Sequence, residues 1–190
     1  MLDPDPMPPR PNDSANPSLD NPRISSADVG NSWDEKASWW ASRAGANRGQ
    51  VVYPAVLAHA ADLCGKNVLD AGCGDGILAR LMARAGARVT ALDISRRLLE
   101  FAAAELDPTL PAISFIQGDI ARLNQFTHGQ FDLITCVLVL QGCPSIQIAI
   151  QGFHRVLATN GLLLMVILNP ERVTPTGPWF HEWKRIGTDV

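Results

Sequence analysis

The stretch Val68-Leu69-Asp70-Ala71-Gly72-Cys73-Gly74-Asp75-Gly76 decides the fold of this chain. A short apolar run bounded by glycine suits a parallel strand buried on both faces. The residues that follow, Ile77-Leu78-Ala79-Arg80-Leu81-Met82-Ala83-Arg84-Ala85, have helical spacing and a stop at Gly86. Strand, glycine turn and helix together form the local grammar of a nucleotide site, because the turn lets a ligand approach the backbone where the strand ends.

Downstream the alternation repeats. Arg88-Val89-Thr90-Ala91-Leu92-Asp93 reads as a second strand ending in an acid, and Ser95 caps a helix through about residue 106, terminated by Asp107-Pro108. Residues 113–117 alternate into a third strand closed by Gly118-Asp119, and residues 120–130 are expected to include one short helical turn. Phe131-Asp132-Leu133-Ile134-Thr135-Cys136-Val137 is a fourth strand. Residues 145–157 form a helix introduced by Pro144 and ended near Asn160-Gly161, and residues 162–168 are an unbroken apolar fifth strand. Strands alternating with helices, without hairpin turns, specify an α/β fold: a Rossmann-like, doubly wound parallel sheet of about five strands. Ligands of such sheets lie at the carboxyl ends of the strands.

Upstream of this core, residues 1–28 are rich in Pro, Asn, Asp and Ser, with Leu2, Leu19 and Ile24 as isolated aliphatics, and read as a disordered leader. Ser32-Trp33-Asp34-Glu35 offers a Ser N-cap with Glu three residues on, so a helix is expected to begin at Ser32. Gly45 and Asn47-Arg48-Gly49 mark a break, and residues 51–63 resume a helical pattern with Pro54 near its start. Residues 29–65 are thus a helical cap, 66–170 the cofactor-binding core, and 171–190 a C-terminal extension or the start of an acceptor region. Trp33, Trp39 and Trp40, at helical spacing, read as packing residues.

The 190 residues, 46% hydrophobic, suffice for one domain with a sizeable core. A formal net charge of -3 provides no overall attraction to nucleic acid or anionic membrane, so neither is an expected partner. Cys64, Cys73, Cys136 and Cys143 form no CxxC pair and have no histidine at zinc-ligand spacing; they read as reduced, buried thiols, and no metal is expected. No apolar run reaches the ~20 residues a bilayer requires, and the N-terminus is acidic and proline-rich, which is not a secretory signal. A soluble cytoplasmic protein is expected.

The turn discriminates between two ligands, a dinucleotide and S-adenosylmethionine. The dinucleotide fingerprint is GxGxxG, whereas Gly72, Gly74 and Gly76 give GxGxG with Ile77 in the next place. Asp70 at the strand end would oppose a pyrophosphate. The same carboxylate is a favourable neighbour for the ammonium and sulfonium of S-adenosylmethionine. Gly72 and Gly74 would let the backbone approach the amino-acid part of that ligand, where a side chain would collide with it. Asp93 is placed to accept both ribose hydroxyls, Asp119 to accept from the adenine amine, and the Ile120 backbone N–H to meet a ring nitrogen.

These residues resemble the class I S-adenosylmethionine-dependent methyltransferase family, over roughly residues 33–170. VLDAGCGDG is similar to its first motif, ALDIS to its acidic ribose motif and QGDI to its adenine motif. FDLITCVLVLQGCP followed by FHRVLATNGLLLMVILNP is similar to its last core motifs. WDEKASWW with RGQVVYP resembles the N-terminal cap of small-molecule members, including the quinone-biosynthesis type. The resemblance makes Arg48 a candidate for the methionine carboxylate and the Cys136-Val137 backbone one for the methionine amine. Cys73 inside the turn and Ile94 inside ALDIS complete the candidate cofactor-binding set.

The resemblance implies methyl transfer to a small-molecule acceptor by in-line displacement, which demands alignment more than side-chain chemistry. Two alternatives stand beside it: a truncated module that binds cofactor or a partner without catalysis, and an NAD-dependent oxidoreductase. Family members often carry histidine just after the fourth strand, where this chain has Leu140-Gln141-Gly142-Cys143-Pro144; no catalytic residue is assigned. His181 is a weak candidate for acceptor contact. The family sheet has seven strands, so the last two are expected to be missing here. The apolar fifth strand would then be an edge needing cover from a second chain or a missing C-terminal segment.

Overall fold

The computed structural model describes residues 24–60 and 62–168, with only the backbone over residues 43–48. Its centre is β1 (Asn67–Ala71), whose residues from Val68 onward are all buried, as expected for a strand covered on both faces. On one side β1 pairs in parallel with β2 (Arg88–Asp93), and on the other with β4 (Phe131–Val137). β3 (Ser114–Gln117) adds to β2 and β5 (Leu157–Val166) to β4, also in parallel, giving the order β3-β2-β1-β4-β5. The helices are α1 (Ser26–Gln50), α2 (Val52–His59), α3 (Ile77–Arg84), α4 (Arg96–Ala104) and α5 (Ile146–Val156).

Successive strand residues point to opposite faces, and the core divides accordingly. Val68, Val89, Ala91 and Leu133 pack with Tyr53 and Val56 of α2 and Leu78, Ala79 and Met82 of α3. Leu69, Ala71, Leu92 and Ile134 pack with Ala149, Phe153 and Val156 of α5. Helices therefore cover both faces, and the doubly wound architecture expected from the alternation is present. Phe131 and Phe153 are among the largest fully buried side chains, each worth about 1.5–3 kcal/mol of apolar burial.

Several local expectations are corrected. The first helix begins at Ser26, inside the stretch assigned to the leader, and runs through Gly45 and Asn47-Arg48-Gly49 without the expected break. Its docking accounts for this: Ala37 and Trp40 pack on Leu98 of α4 with Trp33 and Phe101 alongside, and tertiary contact overrides weak helix propensity. Trp40 is buried while Trp39 stays 45% exposed, so packing explains one of the pair and not the other. Residues 120–130 hold turns and no helix. Asn160-Gly161 does not end α5; it lies inside β5, where Asn160 has φ 62 and the register to β4 shifts between Phe131 and Leu133. β5 starts five residues earlier than expected, at Leu157, and ends at Val166. Cys64 is exposed rather than buried.

β5 is a terminal strand of the sheet, and Leu162, Met165 and Ile167 are exposed on or just after it. Residues 171–190, assigned to an extension or acceptor region, lie outside the described residues, as does most of the leader. No described helix is long and apolar enough to cross a membrane.

Candidate functional site

Strand order reverses between β1 and β4, the switch point at which open sheets bind ligands. The last β1–β4 pair is Asp70 with Thr135, whereas β4 stays paired with β5 as far as Val137. Cys136 and Val137 therefore sit beyond the last β1 pair, at the head of a crevice between the strands.

Asp70 is fully buried at that head. Its Oδ1 accepts from Thr135 Oγ1 at 2.8 Å, and its Oδ2 has no partner among the described residues. Burial pushes its carboxyl up to about 7, partly offset by the Thr135 bond and reinforced by Asp93 and Asp75. Thr135 was not singled out from the sequence, because its role appears only once β1 and β4 are paired.

The glycine turn is tied to the end of β2. Gly72 and Cys73 N–H both donate to the Leu92 carbonyl, at 2.7 and 3.0 Å, and Gly74 N–H donates to Asp93 Oδ2 at 2.8 Å. Three successive turn donors are thus engaged internally, which leaves the turn ill suited to cradle phosphates. Gly72 has φ 81, and a Cβ there would lie 2.2 Å from Val139 Cγ2. The collision expected with a ligand is a collision with the chain's own Val139. At Gly76 a Cβ would lie 2.8 Å from Ala102 Cβ, so this third glycine permits the close approach of α3 to α4. Cys73 is buried, and burial raises its thiol well above the ordinary range, as expected for an inert packing residue.

Asp93 is buried, with Oδ1 accepting from Ser95 N–H at 2.8 Å. Burial raises its pKa despite the backbone bonds from Ser95, Gly74 and Ile94. One carboxylate thus holds both the glycine turn and the start of α4, while lone pairs remain on each oxygen. Gly118 N–H donates to the Asp93 carbonyl at 2.8 Å, bringing Asp119 and Ile120 onto the same edge.

α1 runs across this edge. Ser26 Oγ donates to Asp119 Oδ2, whose other oxygen accepts from Ala121 N–H at 2.8 Å. Asp34 accepts from Ser95 Oγ and, at 3.1 Å, from Arg97 N–H, so it caps α4 from 61 residues away. A Cβ on Gly30 would lie 3.4 Å from Ile94 Cγ1, and one on Gly74 would lie 3.3 Å from Trp40 Nε1. The structure thus gathers Asp70, Gly72, Cys73, Gly74, Asp93, Ile94, Asp119 and Ile120 along one edge of the sheet, with Cys136 and Val137 across the crevice. Arg48 lies in the last turn of α1; its side chain is outside the described residues, and so is His181. Ser26 carried no local signal of a role here, and Asp34 and Trp40 stood out only within WDEKASWW.

The residues fit S-adenosylmethionine on this structure's own terms. A fully buried carboxylate with one unengaged oxygen suits an ammonium, and the engaged turn disfavours a phosphate. Comparison with known proteins agrees. Residues 69–165, about half of the chain, match the family described as "Methyltransferase domain". The chain belongs to the methyltransferase domain family. It is similar to the ubiquinone biosynthesis O-methyltransferase of Vibrio cholerae, 36% identical over 60% of this chain and 46% of that one. The corresponding Pseudomonas paraeruginosa protein is 34% identical over 57% of this chain and 47% of the other. This chain spans about half the length of the curated relatives it matches. A solved S-adenosylmethionine dependent methyltransferase from Mesorhizobium loti superposes with a TM-score of 0.54 at 27% identity, covering 59% of this chain and 51% of that one. Membership in the methyltransferase family brings S-adenosylmethionine as cofactor and sets aside the NAD-dependent oxidoreductase.

The state of Asp70 has a measurable consequence for this methyltransferase domain. Because the native state raises the carboxyl from 3.8 to about 7, it holds a proton that the unfolded chain releases. Stability is therefore expected to fall as pH rises from about 4 to 7 and to level off above, with Asp93 adding in the same direction. Asp70→Asn is expected to flatten that slope in urea unfolding between pH 5 and pH 8.

Proposed function

We propose that this chain transfers the methyl of S-adenosylmethionine to an oxygen of a small-molecule acceptor. The observation that carries the reading is Asp70 Oδ2, a buried carboxylate oxygen without a partner among the described residues, at the head of the β1–β4 crevice. The O-methyltransferase relatives support oxygen as the acceptor atom.

When bound, S-adenosylmethionine supplies an activated methyl on a sulfonium that is already a leaving group. The chain's residues would then bind and align. Asp70 would take the ammonium, with Thr135 holding its carboxylate in place, and Asp93 the ribose hydroxyls through lone pairs that its backbone bonds leave over. Asp119 would accept from the adenine amine once Ser26 lets go, beside the Ile120 N–H. Gly72, Cys73, Gly74 and Ile94 would form the wall of this site, with Cys136 and Val137 facing it from β4; Arg48 would reach the methionine carboxylate. Alignment of an acceptor lone pair with the methyl is the main demand, and such positioning is worth up to about 7–11 kcal/mol of barrier.

A second reading, a module that binds cofactor without turnover, is favoured by one observation: the turn after β4 offers Leu140, Gln141 and Gly142, none of which can take a proton. Both readings are tested by calorimetry with S-adenosylmethionine and an assay of S-adenosylhomocysteine release with catechol, benzyl alcohol, aniline and thiophenol. Binding with turnover of catechol is the expected result. Binding with no turnover of any acceptor supports the module, and absence of binding overturns both.

A further inference from the structure

α1 meets the loop after β2 along one of its faces. Gly30, Asp34 and Ala37 stand at positions i, i+4 and i+7 of the helix, so they share a side. Gly30 lies against Ile94, where an added Cβ would stand 3.4 Å from Cγ1 and 3.5 Å from the carbonyl oxygen. Ala37 packs with Trp40 against Leu98 of α4. Between these two contacts sits Asp34, whose Oδ1 accepts from Ser95 Oγ and, at 3.1 Å, from Arg97 N–H. α1 thus holds the segment from Ile94 to Leu98 at three successive points.

The first N–H groups of α4 have no acceptor inside their own helix and must find one outside it. Ser95 serves Leu98 N–H with its Oγ at 3.1 Å, and Asp34 serves Arg97 N–H from across the interface. Ser95 is fully buried, and its single hydroxyl proton goes to Asp34. Its backbone N–H donates in turn to Asp93 Oδ1 at 2.8 Å, while Asp93 Oδ2 accepts from Gly74 N–H at the same distance. A continuous run of hydrogen bonds therefore leads from Asp34 through Ser95 and Asp93 to the glycine turn.

We propose that Asp34 is a positioning residue for the cofactor's ribose: through Ser95 it fixes the direction in which Asp93 offers its remaining lone pairs to the two hydroxyls. The proposal rests on the methyl-transfer reading above, in which Asp93 takes the ribose. Asp34 touches no cofactor atom in this scheme and acts by orientation alone. Hydrogen bonds weaken steeply once they depart from alignment, so a small rotation of the Asp93 carboxylate costs both ribose contacts together. Docking of α1 and grip on the ribose are then coupled, and the coupling is reciprocal: a ligand that engages Asp93 steadies α1. Release of Asp119 by Ser26 is compatible with this anchor, since Ser26 and Asp34 are eight residues, or about two helical turns, apart. The first turn opens while Asp34 stays seated.

The test is calorimetry on the full chain with S-adenosylhomocysteine and with its 2′,3′-dideoxy analogue. The ratio of the two affinities reads the hydroxyl contacts and cancels any change in the fraction folded. Wild type should favour the natural nucleoside by about tenfold or more, the scale of hydrogen bonds to a charged group. Asp34→Ala should cut that preference to about threefold or less while binding the dideoxy analogue within about twofold of wild type. Asp34→Asn, which keeps an oxygen for Ser95 Oγ and Arg97 N–H, should recover the preference. In an Asp93→Asn background, adding Asp34→Ala should leave the ratio where Asp93→Asn alone puts it. An unaltered preference in Asp34→Ala overturns the proposal while leaving cofactor binding intact, and an equal loss of both ligands makes Asp34 a helix cap only and overturns it as well. Should Asp34→Ala not fold, Ser95→Ala breaks the same run at its middle and is judged by the same ratio. A wild-type chain that binds both ligands equally overturns the ribose role of Asp93 and with it that of Asp34; one that binds neither overturns the methyl-transfer reading itself.

Discussion

Alanine in place of Asp93 is expected to weaken S-adenosylmethionine binding by about 1.5–3 kcal/mol, the scale for losing hydrogen bonds to a charged group, or roughly 10–150-fold in Kd. The same change leaves Gly74 N–H and Ser95 N–H without their acceptor, so the loop and the start of α4 lose their common anchor. Relief of a desolvated carboxylate works in the opposite direction. Two orphaned buried donors outweigh it, and the cofactor-free chain is expected to lose about 2 kcal/mol. Asp93→Asn separates the effects, since it keeps one acceptor for the backbone and removes the charge. Titration calorimetry with S-adenosylhomocysteine and urea unfolding measure the two separately. Unaltered affinity in Asp93→Ala removes Asp93 from the cofactor site.

Gly72→Ala is expected to be still more damaging to the fold. A Cβ would stand 2.2 Å from Val139 Cγ2, 2.8 Å from Cγ1 and 3.0 Å from Cβ, so no rotation of that stiff, branched side chain clears the space. Overpacking of this kind costs about 1–3 kcal/mol, and the left-handed backbone at φ 81 adds about 1–2 kcal/mol for a residue with a Cβ. A loss of about 3 kcal/mol is therefore expected in urea unfolding. Gly72→Ala combined with Val139→Ala should restore the steric part and leave the backbone part, a coupling that a double-mutant cycle reads directly. Additive effects in the cycle would show that Val139 is not what excludes a side chain from position 72.

Local chemistry made the frame legible. The limits of β2 and β4 coincide with the expected ones: Arg88 to Asp93 has an apolar centre between Gly86 and the strand-end acid, and Phe131 to Val137 starts just after Gly129 and Gln130. Ser95 caps α4 as its side chain suggested, accepting from Leu98 N–H at 3.1 Å. Misreadings arose where distant partners decide. Gly45 and Gly49 looked like a break in α1, yet the preceding Trp40 and Ala37 anchor the helix on α4. Asn160-Gly161 looked like a helix stop, yet β4 pairs on both sides of it and draws it into β5 as an irregularity. The acids at strand ends were readable as ligand candidates because parallel sheets always turn that edge to the crevice. Their partners were not: Thr135, Ser26 and Asp34 meet Asp70, Asp119 and Ser95 only after 61 or more residues of chain have been folded between them. The stretch Leu140 to Pro144 reads in sequence only as lacking the family's histidine, whereas packing leaves Gln141 Oε1 buried and without a partner among the described residues.

The contact of Ser26 with Asp119 carries a kinetic consequence. If Asp119 takes the adenine amine, arrival of fresh cofactor and departure of the spent nucleoside must both wait for the first turn of α1 to detach. A single opening rate then caps both exchanges, and it governs turnover at saturating acceptor wherever opening is slower than the displacement itself. Viscosity would then slow the steady state while leaving a first-turnover burst intact, a signature in which the N-terminal helix acts as the clock of the cycle.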